Sequence, residues 1–270
     1  MAVNTNLPLY ETLLTNIAAP NILVVTLNRP AVANALNTQM GLDLYDLWQR
    51  ITIDSGQVRC VVITGSGDKV FCAGGDLKQR NGMSNENWKR QHEVFERAYW
   101  ALADLPIPVI AAVNGHAYAG GFEMALCCDF IYASSLARFA LTEVTLGIMP
   151  GGGGTQNLTR AAGERRAKEI LLTGTPFHAE EAFQWGIVNK ILNSSSQVLD
   201  AAIETGAIIA ANAPLSIRQI KKSVRYGTQM DLSTSFRFEV EAYQSLIGTD
   251  DRMEGIRAFN EKRKAKFLGR

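Results

Sequence analysis

Two glutamates and two glycine turns are the parts of this chain best equipped for chemistry. Glu123 ends the stretch Asn114-Gly115-His116-Ala117-Tyr118-Ala119-Gly120-Gly121-Phe122-Glu123, which follows the apolar run Pro108-Val109-Ile110-Ala111-Ala112-Val113 and leads into Met124-Ala125-Leu126-Cys127-Cys128. A strand that yields to a glycine turn and then a helix start points unpaired N–H groups at whatever lies in front of it. A second turn of this kind, Ala73-Gly74-Gly75-Asp76, follows Val70-Phe71-Cys72. Two N–H groups converging on one carbonyl oxygen, shielded from water, make an oxyanion hole, and glycine permits the close backbone approach. Glu123 and Glu143 both lie in apolar surroundings. Paired carboxylates activate water and exchange protons with carbon, and burial raises a pKa toward neutrality. The competing reading of 114–123 is a small-residue packing turn beneath a helix. For each glutamate it is a buried arginine partner or a helix cap.

The surrounding pattern supplies elements to hold these groups. Residues 9–18 and 21–27 are β-rich runs separated by Ala19-Pro20, and Asn28-Arg29-Pro30 ends the second because proline cannot continue a central ladder. Asn37-Thr38 offers an N-cap to a helix in which Met40, Leu44, Leu47, Trp48 and Ile51 recur at helical spacing. Residues 59–64 and 129–133 predict buried strands, and 85–105 a long amphipathic helix stopped by Pro106. Pro150-Gly151-Gly152-Gly153-Gly154-Thr155 predicts a turn feeding a helix at Thr155 or Gln156. Strands, glycine turns and helices in repeated order predict an α/β domain whose turns gather on one edge. Beyond residue 195 strand signals stop, and 198–211, 215–226, 232–247 and 251–264 predict helices. The expected division is a core with the active site at 1–194 and a helical region at 195–270, packed on the core and on neighbouring subunits.

Bulk properties narrow the function classes. A chain of 270 residues with 47% apolar content can bury a large core. A formal net charge of +1 argues against a dominant polyelectrolyte partner. Met1-Ala2-Val3-Asn4-Thr5-Asn6-Leu7-Pro8 has neither the basic flank and apolar run of a secretory signal nor the arginine-rich pattern of a transit peptide. No apolar run reaches membrane-spanning length, so a cytoplasmic protein without a membrane partner is expected. Cys60, Cys72, Cys127 and Cys128 lack Cys-x-x-Cys spacing and read as reduced thiols. His92, His116 and His178 lack ligand spacing, and no metal site is expected.

The ordered motifs resemble a known family. Phe71-Cys72-Ala73-Gly74-Gly75-Asp76-Leu77-Lys78, then Asn114-Gly115 through Glu123, then Thr142-Glu143 and Gly147-Ile148-Met149-Pro150-Gly151-Gly152-Gly153-Gly154-Thr155-Gln156 are similar to the crotonase (enoyl-CoA hydratase/isomerase) superfamily. The similarity runs from Asn28-Arg29-Pro30 and Asn34-Ala35-Leu36 to Phe259-x-x-Lys262-Arg263, nearly the whole chain. It looks closest to the hydratase branch, including mitochondrial relatives that hydrate methylglutaconyl-CoA.

The resemblance implies a spiral of ββα units with a C-terminal helical trimerisation region, giving a homotrimer or a dimer of trimers. It implies that Gly75 and Gly120 grip the thioester oxygen, while Glu123 and Glu143 hold a water, take its proton and protonate Cα. Gly151 would help place the water or the acyl group. Ala31, Ala33, Ala73, Asp76, Leu77 and Lys78 would line the CoA path beside Gly75 and Gly120, and Lys262 would reach a CoA phosphate. No permanently bound cofactor is implied, since coenzyme A arrives on the substrate. Two carboxylates favour adding water across C2–C3 of a trans-2-enoyl-CoA, whereas an isomerase needs one proton shuttle.

Departures and rivals complete the reading. Ala119 stands where a first glycine is common, and Thr142 where proline is frequent. His116 and Tyr118 read as packing residues, and Trp88 with the surrounding helix as the border of the acyl chain. The glycine run at 150–155 is not a P-loop, because no Lys-Ser/Thr follows it, and no Gly-x-Ser-x-Gly elbow supports a serine hydrolase. The remaining alternatives are an enoyl-CoA isomerase or other CoA-enolate enzyme, and an RNA-binding homologue using Lys78, Arg80, Lys89 and Arg90. Those four basic residues read first as a solvated face with CoA contact.

Overall fold

The computed structural model describes residues 7–270. Strands β1 (Leu13–Ala19) and β2 (Ile22–Leu27) form a hairpin, followed by helix α1 (Thr38–Ile53), capped by the Asn37 side chain on Met40 N. Three strand pairs come next: β3 (Cys60–Gly65) with β4 (Val70–Cys72), β5 (Val109–Val113) with β6 (His116–Tyr118), and β7 (Phe130–Ser134) with β8 (Arg138–Ala140). Helices α2 (Leu77–Arg80) and α3 (Asn85–Ala103) separate the first two pairs, and α4 (Gly120–Cys127) separates the second and third. Then follow α5 (Gly154–Ala162), α6 (Glu164–Thr173), β9 (Phe177–His178), α7 (Ala179–Gln184) and β10 (Lys190–Leu192).

The first member of each pair lies in a six-stranded sheet, ordered β1-β2-β3-β5-β7-β10. The second lies in a four-stranded sheet, ordered β4-β6-β8-β9. The chain thus steps between two sheets and returns through helices, one turn of a ββα spiral at a time. Apart from β1 against β2, the large sheet is parallel, and its inner strands β2, β3 and β5 are buried and largely apolar, whereas the edge strands β1 and β10 are partly exposed. Alternate residues divide cleanly between the two faces. Leu23, Val25, Val61, Ile63, Val109 and Ala111 enter the main core, while Ile22, Val24, Cys60, Val62, Ile110 and Ala112 face helix α8 (Ser195–Ala210). Small residues let α8 lie close: a Cβ on Gly206 would stand 3.2 Å from Ile22 Cδ1.

Asn114 joins successive turns of the spiral. Its Oδ1 accepts from Gly65 N at 3.0 Å, and its Nδ2 donates to Gly67 O at 2.7 Å. The neighbouring position must be glycine, since a Cβ on Gly115 would lie 2.2 Å from the Lys69 carbonyl carbon. Strands β6, β8 and β9 were invisible to pattern reading because runs of two or three residues carry too little periodicity. Helix α4 also starts at Gly120, four residues before the apolar run that announces it.

The remaining helices are α9 (Pro214–Gly227), α10 (Leu232–Ile247) and α11 (Asp250–Asn260). The predicted helix over 251–264 stops earlier because the tail turns back onto α11. There Asp251 accepts from Leu268 N and Gly269 N, and Glu254 pairs with Arg263. Neither α9 nor α10 buries a single residue. Among the described residues, no single helix is long and apolar enough to cross a membrane.

Candidate active site

The two glycine turns meet at one cavity. Leu36 N donates to Gly74 O and Asp76 N to Leu36 O, which leaves the Gly75 N–H between them unused. Gly120 is the first residue of α4, so its N–H has no helical acceptor. The turns touch: a Cβ on Gly74 would lie 2.7 Å from Ala119 Cβ and 3.3 Å from Gly120 N. Ala119 sits at φ 48, ψ −126, a conformation that alanine rarely adopts, and Ala119 N is fixed to Ala140 O on β8 at 2.8 Å. The Tyr99 hydroxyl on α3 donates to Gly120 O at 2.7 Å, bracing the same turn from the opposite side.

Both glutamates face this cavity. Glu123 lies in the first turn of α4, buried, and its Oε1 accepts from Gly152 N at 2.8 Å and Gly154 N at 2.9 Å. The glycine run therefore cradles a carboxylate, and the first residue of α5 aims the positive end of that helix at it. Burial raises the Glu123 pKa, while the two N–H bonds act in the opposite sense. Glu143 opens a 3-10 turn, Glu143–Leu146, after β8. Its Oε2 is buried and makes no hydrogen bond. Burial, assisted by the charge of Glu123, pushes its pKa up to about 7. One carboxylate is held by donors and the other is poised near neutrality, an arrangement that separates a base from an acid.

The cavity encloses about 500 Å³. Of the residues expected to act or bind, Gly75, Gly120, Glu123, Glu143, Ala73, Leu77 and Gly151 line it, while Ala31, Ala33, Asp76, Lys78 and Lys262 do not. Ala33 O accepts from Ala73 N at 3.1 Å, so the 31–36 segment abuts the rim. The Asp76 carboxylate is committed there: it caps α2 through Lys78 N and Gln79 N and pairs with Arg29 at 3.0 Å. Lys262 is exposed after α11. The rest of the lining includes Trp88, His92 and Phe95 on α3, together with Leu146, Ile148 and Met149. His116 and Tyr118 stack on one another with ring centroids 5.7 Å apart and do not reach the cavity. Cys72 is fully buried, and burial pushes its thiol up to about 12, which removes it as a nucleophile.

Three features escaped the sequence reading. Tyr99 is an unmarked position within the predicted helix over 85–105, and nothing local marks its hydroxyl contact twenty-one residues away. The N–H groups of Gly152 and Gly154 are a carboxylate cradle, whereas the sequence suggested only a turn. Arg80 does not belong to a solvated basic face. Its guanidinium lies over the Trp88 ring at 4.3 Å and lines the cavity, while Arg90 pairs with Glu86.

Comparison with known proteins agrees with this geometry. A sequence model of the enoyl-CoA hydratase/isomerase family matches residues 18–270. The short-chain-enoyl-CoA hydratase of Clostridium acetobutylicum is 39% identical, over 90% of this chain and 92% of its own. The crotonyl-CoA hydratase of Syntrophomonas wolfei is 38% identical, over 92% of this chain and 94% of its own. The crystal structure of an enoyl-CoA hydratase from Bacillus anthracis superposes with a TM-score of 0.94 at 39% identity, covering 96% of this chain and 100% of that one. The spiral, the paired glycine turns and this similarity have one reading: the chain is an enzyme of the enoyl-CoA hydratase/isomerase family, in the crotonase superfamily.

Proposed function

We propose that the protein adds water across C2–C3 of a trans-2-enoyl-CoA, reversibly. The observation that carries this is the presence of two buried glutamates on the cavity that both donor glycines line. The thioester oxygen is held by Gly75 N–H and Gly120 N–H. Glu123 takes a proton from water as the hydroxyl oxygen bonds to C3. The C2–C3 π pair shifts to form the enolate, whose oxygen strengthens both N–H bonds, and the α4 N-terminus adds its dipole. As the enolate collapses, the Glu143 carboxyl delivers its proton to C2. An isomerase would leave one of the two glutamates without a task.

The CoA portion crosses the rim where residues 31–36 abut 73–78, past Ala31, Ala33, Ala73, Leu77 and Lys78, with Lys262 a candidate for a phosphate. The decisive experiment is spectrophotometric: purified protein with crotonyl-CoA is expected to bleach the conjugated-thioester absorbance and yield 3-hydroxybutyryl-CoA. Double-bond migration without net water addition would sink the reading.

The same proposal includes self-association. Ile220, Val224, Phe236, Val240 and Tyr243 on α9 and α10 are exposed, an apolar surface suited to a second copy of this chain. Light scattering is expected to give a multiple of three protomer masses. A monomer at micromolar concentration would exclude this part.

A further inference from the structure

The cavity holds a cation that the hydration chemistry leaves unused. Arg80 Nε donates to Gln91 Oε1 at 2.8 Å, and Gln91, itself buried, is fixed by Thr38 Oγ1 and Gln79 Oε1 at 2.8 Å each. The guanidinium is further confined by Trp88 at 4.3 Å and Phe95 at 5.6 Å from the ring centroids. Its Nη1 lies 3.1 Å from the point a Cβ on Gly75 would occupy, beside the thioester end of the cavity. Among the described residues no carboxylate pairs with it, and its Nη groups make no hydrogen bond to the protein. Neither glutamate of the site neutralises it, and the other basic group on this wall, His92, is occupied by Glu96 at 3.1 Å. Partly burying a guanidinium beside apolar rings carries a desolvation cost that an anionic partner offsets, and its fork is shaped for a carboxylate.

We propose that Arg80 binds a second carboxylate on the acyl chain, so that the preferred substrate is a short enoyl-CoA whose acyl group ends in a carboxylate. This rests on the hydratase reading and adds its substrate class. The guanidinium stands next to Gly75, so the acid group it reaches is only a few bonds from the thioester, and a long dicarboxylic chain would overshoot it. An aromatic-stacked arginine with a purely structural task would support all substrates equally, and the two roles separate in a specificity ratio.

The test compares glutaconyl-CoA with crotonyl-CoA, which lacks only the terminal carboxylate, and with 2-hexenoyl-CoA, a neutral chain of similar length. The wild type is expected to favour glutaconyl-CoA in kcat/KM. Arg80→Met is expected to lower the ratio of glutaconyl-CoA to 2-hexenoyl-CoA by roughly 10²-fold, the scale of a charge-assisted bidentate pair. Arg80→Lys, which keeps charge and loses the fork, is expected to fall between them and guards against misfolding of the methionine variant. Equal losses on charged and neutral substrates in both variants would overturn the inference while leaving hydration intact. Failure of the wild type to hydrate any of the three would overturn the hydratase reading and this inference together.

Discussion

Glu143→Gln is expected to lower kcat for hydration by roughly 10²–10⁴-fold, the usual contribution of a positioned general acid. The substitution preserves shape and removes the transferable proton, so KM is expected to change little. The pH profile provides an independent readout. With a pKa of about 7, Glu143 carries the proton hydration needs only below that value. Hydration therefore declines as pH rises through about 7. Dehydration starts from the ionised form and declines as pH falls through the same value. Glu143→Gln is expected to abolish both limbs, and a variant that keeps either limb would remove Glu143 from the proton path.

The substitution has the opposite effect on stability. The folded state holds this proton more tightly than the unfolded chain, whose carboxyl keeps the ordinary value of 4.5. Stability from this group is therefore fully present below pH 4.5 and is lost as pH rises to about 7. Glutamine never ionises, so the variant's Tm advantage over the wild type is expected to grow across that window and level off above it. An enzyme that loses activity while gaining Tm has lost chemistry and kept its fold.

Gly152→Ala is the second large effect, and here activity and stability fall together. A Cβ at this position would lie 2.2 Å from two Tyr99 ring carbons and 3.1 Å from Glu123 Oε2. The methyl must push away either the ring that braces Gly120 or the carboxylate that Gly152 N–H holds. A displacement of about 1 Å in a catalytic group costs on the order of 10²-fold in rate. Over-packing a tight interior costs about 1–3 kcal/mol, enough to lower Tm by several degrees. Gly248→Ala supplies the contrast, since its added methyl meets nothing within 4 Å, and it is expected to be silent in both measurements. Wild-type kcat and Tm in Gly152→Ala would show that the cradle is dispensable.

The sequence carried the reacting groups better than it carried their supports. Gly75, Gly120, Glu123 and Glu143 stood out because glycine turns and isolated carboxylates are visible in a linear string. All four line one cavity because the ββα spiral brings the turns after β4, β6 and β8 together. What stayed hidden depends on distant pairing. Tyr99 reaches Gly120 from a helix whose amphipathic pattern marks a buried face and says nothing of a hydroxyl's partner. Arg80 appeared in a run of basic residues, and only the fold turns it inward against Trp88. Helix α8 was expected to pack on the core, and composition alone does not announce which sheet face it covers or how closely its small residues let it lie there.

The two walls of the cavity belong to different kinds of structure, and that division has an evolutionary consequence. The donor turns and the cradle around Glu123 are locked into the paired sheets and into α4 and α5, where almost any change disturbs several bonds at once. Trp88 and His92 project from one face of α3, and Leu146, Ile148 and Met149 from the exposed 3-10 turn and loop after Glu143, where a side chain can change size or polarity with its backbone left in place. Mutation can therefore explore new acyl groups one residue at a time while the water-adding machinery stays intact. Selection on such a scaffold would diversify diet faster than reaction.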